Sequence, residues 1–250
     1  MTDFILVTVL YKMAPIPKIL HWVWFQLNGG TLTPPKEYET MKETWRQLHP
    51  DWKYIDWDLD NSRKFIKAHY PDYLKLFDGY KRDIFRIDAI RYFALHHYGG
   101  FYVDTDVDCL QSIDSLRQHK VVLALNKYTK NTLSIYNNHF MGTVPNSKFF
   151  QACIERLPTA SLLQTEKSSY LSVMGTAGPF YLTTIASYHR KKGEIYTLPY
   201  QTEIRLFTHH ERHSWKLARN IMSDVIRIGL ATGGLVVGGL VMKQAYQMRR

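Results

Sequence analysis

The residues from Arg82 to Asp108 constrain the fold of this 250-residue chain more than any other stretch. The first part is rich in apolar and helix-forming residues and stops at Gly99-Gly100, where glycine suits the left-handed conformation that ends many helices. The aromatic and β-branched residues Phe101-Tyr102-Val103 follow at once and are typical of a buried strand. The pattern predicts a long helix that leads directly into a strand.

Three acidic residues follow this strand at alternate positions: Asp104, Asp106 and Asp108. If the strand stays extended, all three project from one face together with Tyr102. Like charges at this spacing repel one another, so an ordinary strand would not contain them without compensation. A hard divalent cation supplies that compensation and prefers oxygen ligands. The spacing therefore indicates a metal site at the end of a strand.

The helix before this strand contains two more polar residues of interest, Asp88 and Arg91. At 100° per residue they lie opposite Arg82, Arg86 and His97, which we expect to face water. A carboxylate and a guanidinium on an apolar face are costly unless they are paired or bound. Spaced three residues apart, they can pair with each other, or both can point at the ligand of the acidic strand.

Helix-like and strand-like patterns alternate along the rest of the chain. We predict strands at 16–25, 51–57 and 121–126 and helices at 34–48, 61–69 and 147–157, with Pro158 ending the last helix. A glycine-rich turn at 174–179 leads into a helix at 180–188. The order predicts an α/β fold with a mostly parallel sheet. Trp24, at the C-terminal end of the first strand, is placed to stack on a base.

Charge and cysteine content narrow the class of protein. The formal charge is +10, yet the chain has no dense run of lysine or arginine, so we expect no nucleic-acid partner. A basic enzyme that handles an anionic nucleotide would have the same charge. Cys109 and Cys153 are the only cysteines, which excludes a disulfide framework and a cysteine-based zinc site. Residues 208–215, with three histidines and an acid, form either a solvated loop or a metal site.

The composition changes towards the C-terminus. Residues 228–242 are uncharged and include five glycines, which weaken a helix in water but permit close helix contacts in lipid. The stretch is shorter than the roughly 20 residues that span a bilayer, and extension back to Ile221 lengthens it. We predict an extension at 1–15, a globular domain at 16–220 and a tail at 221–250. We predict that the tail is an apolar helix that anchors the chain to a membrane through 221–242; a helix buried in a core is the alternative.

Several sequence blocks occur in a fixed order along the chain: IPKILHWVWF, HPDWKYIDWD, the RxDxxRYxxLxxxGGxYxDxD core, NNHFMGTVPNSKFF, MGTAGPFYLT and a closing Ser-Trp. Taken in this order, the blocks resemble glycosyltransferase family 32, whose members contain a DXD motif. The family includes the inositol phosphoceramide mannosyltransferases, which this chain resembles most, and the initiating α-1,6-mannosyltransferase. The resemblance implies a GT-A fold for residues 16–220, which is a Rossmann-like nucleotide-binding domain with Mn²⁺ or Mg²⁺ at the DXD motif.

The resemblance also implies a role for each matching residue. Asp104 is expected to contact the ribose or the donor sugar and to help hold the metal, and Asp106 is expected to ligate the metal. Asp88 and Arg91 are expected to bind the donor sugar and its phosphate. Trp24 is expected to lie near the nucleotide base. The predicted catalytic residues are Asp88, Arg91, Asp104 and Asp106.

The closing block implies a second set of contacts. Ser214 and Trp215 match the end of a loop that covers the donor diphosphate, and Glu211 and Ser214 are further candidate metal ligands. His209 and His210 lie in the same loop, where the spacing of ligands varies among family members.

The implied activity is metal-dependent transfer of a hexose from a nucleotide-sugar to a lipid or glycan acceptor at a Golgi- or ER-type membrane, with retention of the anomeric configuration. Mannose from GDP-mannose is the implied donor. Two alternatives stay open: the same fold using a UDP-sugar to transfer galactose or glucose, and a non-catalytic membrane-associated scaffold. An EF-hand is excluded, because Cys109 stands where that loop needs glycine and Ser115 where it needs glutamate.

Overall fold

The structure is a computed structural model and describes residues 14–26, 33–126, 135–164, 170–190 and 193–210. The strands of these residues are β1 (Ile19–Val23), β2 (Lys53–Trp57), β3 (Gly100–Val103), β4 (Val107–Cys109), β5 (Val121–Leu125), β6 (Tyr136–Thr143), β7 (Ile195–Leu198) and β8 (Phe207–His209). The α-helices are α1 (Lys36–Leu48), α2 (Leu59–His69), α3 (Leu74–Asp78), α4 (Asp83–Tyr98), α5 (Lys148–Ala160), α6 (Tyr170–Thr176), α7 (Pro179–Arg190) and α8 (Tyr200–Leu206).

The central sheet has the strand order β2-β1-β3-β6-β5-β7, and a separate ribbon pairs β4 with β8. Strand β1 is parallel to both β2 and β3, and β5 is parallel to β7. Strand β6 lies antiparallel to both of its neighbours, β3 and β5. Its connection from β5 is too short for the crossover that a parallel pairing with β5 would need. The predicted α/β fold with a mostly parallel sheet is confirmed.

Side chains alternate between the two faces of this sheet and form two apolar cores. On β3, Tyr102 joins the larger core under α2 to α7, and Phe101 and Val103 join the smaller core under α1. The same alternation separates Met141 from Phe140 on β6. Helix α4 is buried on nearly every side, with only partial exposure on the face that we predicted to be wet. It is therefore the central helix of the larger layer.

The junction from α4 to β3 depends on two glycines. Gly99 has φ 64° and ψ −156°, a region essentially restricted to glycine, and Gly100 has φ 90°. A Cβ atom at Gly100 would lie 2.5 Å from the carbonyl oxygen of Ile19 on β1. The predicted glycine-ended helix followed by a strand is confirmed, and the second glycine allows β1 to lie close beside β3.

Two local predictions were wrong, and one strand was missed. Helix α5 runs through Pro158 to Ala160, because the missing N–H falls in the last turn and the backbone N–H of Ser161 still bonds carbonyl oxygens there. The predicted turn at 174–179 is mostly helical: α6 includes Met174–Thr176, and only Ala177 and Gly178 separate it from α7. The missed strand is β6, most of which is formed by residues 137–142.

Other predictions lie outside the described residues. These are most of the 1–15 extension, residues 211–215 and the tail at 221–250. Each helix in the part of the chain that the structure describes is too short or too polar to cross a bilayer. Cys109 and Cys153 are both free and buried, as the sequence predicts for a protein without a disulfide framework.

His21 on β1 ties this strand to the end of α4. Its Nε2–H donates to the carbonyl oxygen of Gly99 at 2.9 Å, and its Nδ1 accepts from the indole N–H of Trp57 at 3.1 Å. The ring is fully buried, and this burial lowers its pKa from 6.5 to about 4, with the hydrogen bond to Gly99 acting in the opposite direction. The neutral ring is therefore part of the native core.

This pairing predicts a pH-dependent stability. The unfolded chain takes up a proton at His21 below pH 6.5, but the folded chain does so only near pH 4. The contribution of neutral His21 to the free energy of unfolding is therefore complete above pH 6.5 and is lost as pH falls towards 4. We expect His21 to account for a loss of about 2–3 kcal/mol between pH 7 and 4.5. Urea unfolding at both pH values should show a smaller loss for His21→Gln. Equal losses would contradict the assignment.

Candidate active site

The acidic segment does not continue as one strand. Strand β3 ends at Val103, residues 104–106 form a turn, and β4 begins at Val107 in the separate ribbon. The backbone N–H of Asp104 still bonds the carbonyl oxygen of His139 on β6, while the carbonyl oxygen of Asp106 accepts from the N–H of His210. Our expectation of three acids on one strand face was therefore wrong, because other elements satisfy the backbone groups of the turn.

The turn places two of the acids beside a histidine. Side-chain ligand atoms of Asp104, Asp106 and His209 all lie within 4.8 Å of one another. The Nε2 atom of His209 is 3.4 Å from a carboxylate oxygen of Asp106 and 3.9 Å from one of Asp104. His209 reaches this point because β8 pairs antiparallel with β4, opposite Val107. The polar run at 208–215 thus contributes to the site through its second residue.

Asp108 lies apart from this cluster. Its carboxylate bonds His210 Nε2 at 2.7 Å, and both side chains are about one-third exposed. The bend at residues 104–106 separates it from the other two acids, although the three alternate in sequence. This pair connects β4 to the residue that follows β8.

Asp88 and Arg91 lie on the inner face of α4 and pair with each other. Arg91 Nη2 is 3.1 Å from Asp88 Oδ1, and Arg91 Nη1 is 3.3 Å from Asp104 Oδ1. Arg91 also donates to the carbonyl oxygen of Asn138 at 3.0 Å and lies 4.5 Å from the centre of the Tyr102 ring. The pairing that the sequence offered as one alternative is therefore formed, and Arg91 also contacts the first acid of the DXD turn. Contact of both residues with a ligand, the other alternative, stays a prediction.

Burial sets the charge states of this group. It raises the pKa of the Asp88 carboxyl to about 6, an effect that Arg91 and Asn138 oppose and Asp104 increases. Burial alone would lower the pKa of Arg91, but Asp104, Tyr102 and Asp88 raise it above its ordinary value. Burial also raises the pKa of Tyr102, whose hydroxyl donates to Asp104. Arg91 is therefore a buried cation that lies between Asp88 and Asp104.

Trp24 lies at the same edge of the sheet. Strand β1 is parallel to β3 with His21 opposite Tyr102, so Trp24 and Asp104 both follow the carboxyl ends of neighbouring strands. The Trp24 ring is partly exposed and lies 5.1 Å from the ring of Tyr38 on α1. Open α/β sheets bind ligands at this edge. The position suits contact with a flat ring of a ligand.

Sequence reasoning missed three further residues of the site. Asn138 and His139 come from β6, and Glu203 comes from α8. Asn138 donates to Asp88 at 3.0 Å, and His139 Nε2 is 3.0 Å from Glu203 Oε1. The only signal was the block NNHFMGTVPNSKFF, because the antiparallel pairing that brings β6 beside β3 is not visible in a local pattern. Of the other predicted site residues, Glu211, Ser214 and Trp215 lie outside the described residues.

Comparison with protein families identifies the class. Residues 35–123 match the family described as "Glycosyltransferase sugar-binding region containing DXD motif", a region that includes α4, β3 and the acidic turn. The chain belongs to this family of DXD-containing glycosyltransferases, so the predicted membership of family 32 is confirmed.

Individual relatives give the same assignment. The chain is 32% identical to mannosyl phosphorylinositol ceramide synthase SUR1 of Saccharomyces cerevisiae, over 82% of this chain and 50% of that protein. It is 33% identical to inositol phosphoceramide mannosyltransferase 2 of Schizosaccharomyces pombe, over 71% of this chain and 48% of that protein. The chain thus spans about half the length of these relatives.

A solved structure agrees on the fold. The UDP-bound glycosyltransferase domain of the YGT toxin superposes with a TM-score of 0.53, at 9% sequence identity, over 93% of this chain and 89% of that one. At this identity the likeness establishes the fold and nothing further. The predicted GT-A architecture is confirmed.

Proposed function

We propose that this chain is a metal-dependent glycosyltransferase that moves a hexose from a nucleotide-sugar to a lipid or glycan acceptor. The observation that supports this most directly is the cluster of Asp104, Asp106 and His209 at the carboxyl edge of the sheet, in a chain of the DXD family. The adjacent Arg91 adds a fixed positive charge beside the cluster. Carboxylates, an imidazole and a guanidinium together suit a ligand with phosphate groups.

The cluster fits a divalent cation. Two carboxylates and one imidazole are ligand types that Mn²⁺ accepts, and the predicted Mn²⁺ or Mg²⁺ would be held by Asp104, Asp106 and His209. All three side chains are partly exposed, at 14–24%, so coordination positions stay open to a ligand from solution. When bound, the cation would supply Lewis-acid stabilisation of charge on the leaving diphosphate. Glu211 and Ser214 remain predicted additional ligands.

The buried pair next to the cluster suits recognition of the donor. Arg91 is held by Asp88, Asp104 and the Asn138 carbonyl, so its guanidinium is fixed before a ligand arrives. A preorganised positive charge stabilises negative charge that develops on a departing phosphate at little reorganisation cost. We assign the donor phosphate to Arg91, the sugar to Asp88 and Asp104, and the base to Trp24, with Ser214 and Trp215 closing over the diphosphate.

The names of the relatives support a choice of donor and acceptor. Two of them are named as enzymes of inositol phosphoceramide mannosylation, so we propose GDP-mannose as donor and a sphingolipid carrying inositol phosphate as acceptor. Transfer of galactose or glucose from a UDP-sugar is the second candidate, since the toxin domain with the same fold binds UDP. A lipid acceptor would place the chain at a Golgi- or ER-type membrane, with contact through 221–242. Sedimentation with vesicles, with and without residues 221–250, tests that contact.

A panel of nucleotide-sugars tests the function. We expect free nucleotide to be released from GDP-mannose in the presence of Mn²⁺ and inositol phosphoceramide, and EDTA to stop the release. Preferential turnover of UDP-galactose or UDP-glucose would reassign the donor. Absence of turnover with every donor, metal and acceptor combination would favour the non-catalytic scaffold.

A further inference from the structure

A buried histidine–glutamate pair lies directly behind the cluster of Asp104, Asp106 and His209. His139 on β6 and Glu203 on α8 are each 4% exposed, and His139 Nε2 is 3.0 Å from Glu203 Oε1. In this pair the Nε2–H of His139 donates and the carboxylate oxygen of Glu203 accepts. The pair joins the central sheet to the short helix that precedes β8.

His139 contacts two of the three members of the cluster. Its ring stacks on the ring of His209, with centroids 4.3 Å apart and planes inclined by 25°. Its backbone carbonyl accepts the N–H of Asp104 at 2.8 Å. One residue therefore constrains the ring plane of His209 and the start of the acidic turn.

Glu203 is not explained by stability alone. Its second carboxylate oxygen, Oε2, is buried and has no hydrogen-bond partner among the described residues. A buried acceptor without a partner is destabilising, whereas an apolar side chain of similar size would avoid that loss. A glutamate at this position is thus better explained by what it does to His139.

We propose that Glu203 and His139 are positioning residues for the cation site. Glu203 fixes the rotation of the His139 ring, and His139 in turn holds His209 in place as the third ligand beside Asp104 and Asp106. Groups that orient a metal ligand from behind typically change metal affinity by about 10- to 100-fold when they are removed. This inference rests on the proposed function, because it assumes a divalent cation at the cluster.

The affinity of the full chain for Mn²⁺, measured by EPR detection of the free ion, tests the proposal. Glu203→Leu removes the acceptor of His139 and should raise the dissociation constant about tenfold or more. Glu203→Gln keeps an oxygen that can accept from Nε2–H and should stay within about threefold of wild type. Equal losses in both variants, or no loss in either, would overturn a positioning role. If Glu203→Leu does not fold, Glu203→Asp serves as the test variant instead, because its shorter side chain moves the carboxylate away from His139.

The chain offers a matched control. His189 Nδ1 is 3.2 Å from Glu194 Oε2 in a second histidine–glutamate pair, next to the amino end of β7 and therefore at the opposite edge of the sheet from Asp104. Glu194→Leu should leave Mn²⁺ affinity unchanged. A loss as large as that of Glu203→Leu would show that the effect is non-specific and would overturn the proposal.

A double-mutant cycle separates positioning from general damage. His209→Ala alone should weaken Mn²⁺ binding, because it removes the third ligand. If Glu203 acts through His209, adding Glu203→Leu to this variant should cause no further loss. Additive losses would contradict the proposed route. If the wild-type chain bound no Mn²⁺ at all, the proposed function would fail first, and the positioning role would fail with it.

Discussion

Asp106→Asn is expected to abolish metal-dependent transfer while the protein stays folded. The amide has the shape of the carboxylate but loses its charge, and Asp106 is one of two acids in the cluster with His209. A catalytic cation contributes several kcal/mol, so turnover should fall by about three orders of magnitude. Nucleotide release from the donor measures the rate, and circular dichroism confirms folding.

Asp108→Asn is the matched control for this variant. Asp108 comes from the same acidic segment but bonds His210 instead of joining the cluster. We expect it to retain turnover within about threefold of wild type, as for a partly exposed polar pair that contributes little. Full activity of Asp106→Asn, or equal loss in both variants, would contradict the assignment of the cluster.

Arg91→Met is expected to lose both stability and activity. It leaves Asp88 buried without its cation and removes the contact to Asp104 and the hydrogen bond to the Asn138 carbonyl. Removal of one partner of a buried pair costs about 3 kcal/mol or more, and chemical denaturation at pH 7 measures this. Part of the loss should return at pH 5, because the pKa of Asp88 is already about 6 with the arginine present and the unpaired carboxyl takes up a proton.

Two further variants test whether the losses in Arg91→Met come from breaking the buried pair. Arg63 pairs with Asp78 at the surface, where both side chains are 39–50% exposed, so Arg63→Met should cost far less stability than Arg91→Met. The double variant Asp88→Asn/Arg91→Met removes both buried charges and should recover much of the stability without recovering turnover. Equal costs for Arg91→Met and Arg63→Met would refute the buried pair, and recovered turnover would refute a role of Arg91 in transfer.

Local sequence rules predicted the central element well. Helix α4 and the two glycines after it depend on hydrophobic residues and backbone freedom that lie next to each other in sequence. The same rules failed at Pro158 and at 174–176, because one lost hydrogen bond or one glycine is outweighed by the packing of a helix against the core.

The site was less predictable, because chain segments far apart in sequence form it. The acids were visible as a pattern, but the turn at 104–106 depends on backbone hydrogen bonds of Asp104 with His139 and of Asp106 with His210. His209 was considered only as part of a polar run, and its place beside Asp106 depends on the β4–β8 ribbon. Glu203 gave no signal, since a single acid in a short helix is ordinarily exposed.

A calorimetric titration of the full chain with Mn²⁺, followed by GDP-mannose, tests the central claim most directly. The cluster of Asp104, Asp106 and His209 predicts uptake of a metal ion by the wild-type chain, tighter binding of the nucleotide-sugar once the metal is present, and loss of both in Asp106→Asn. Binding of neither the metal nor any sugar nucleotide by the wild-type chain would contradict it.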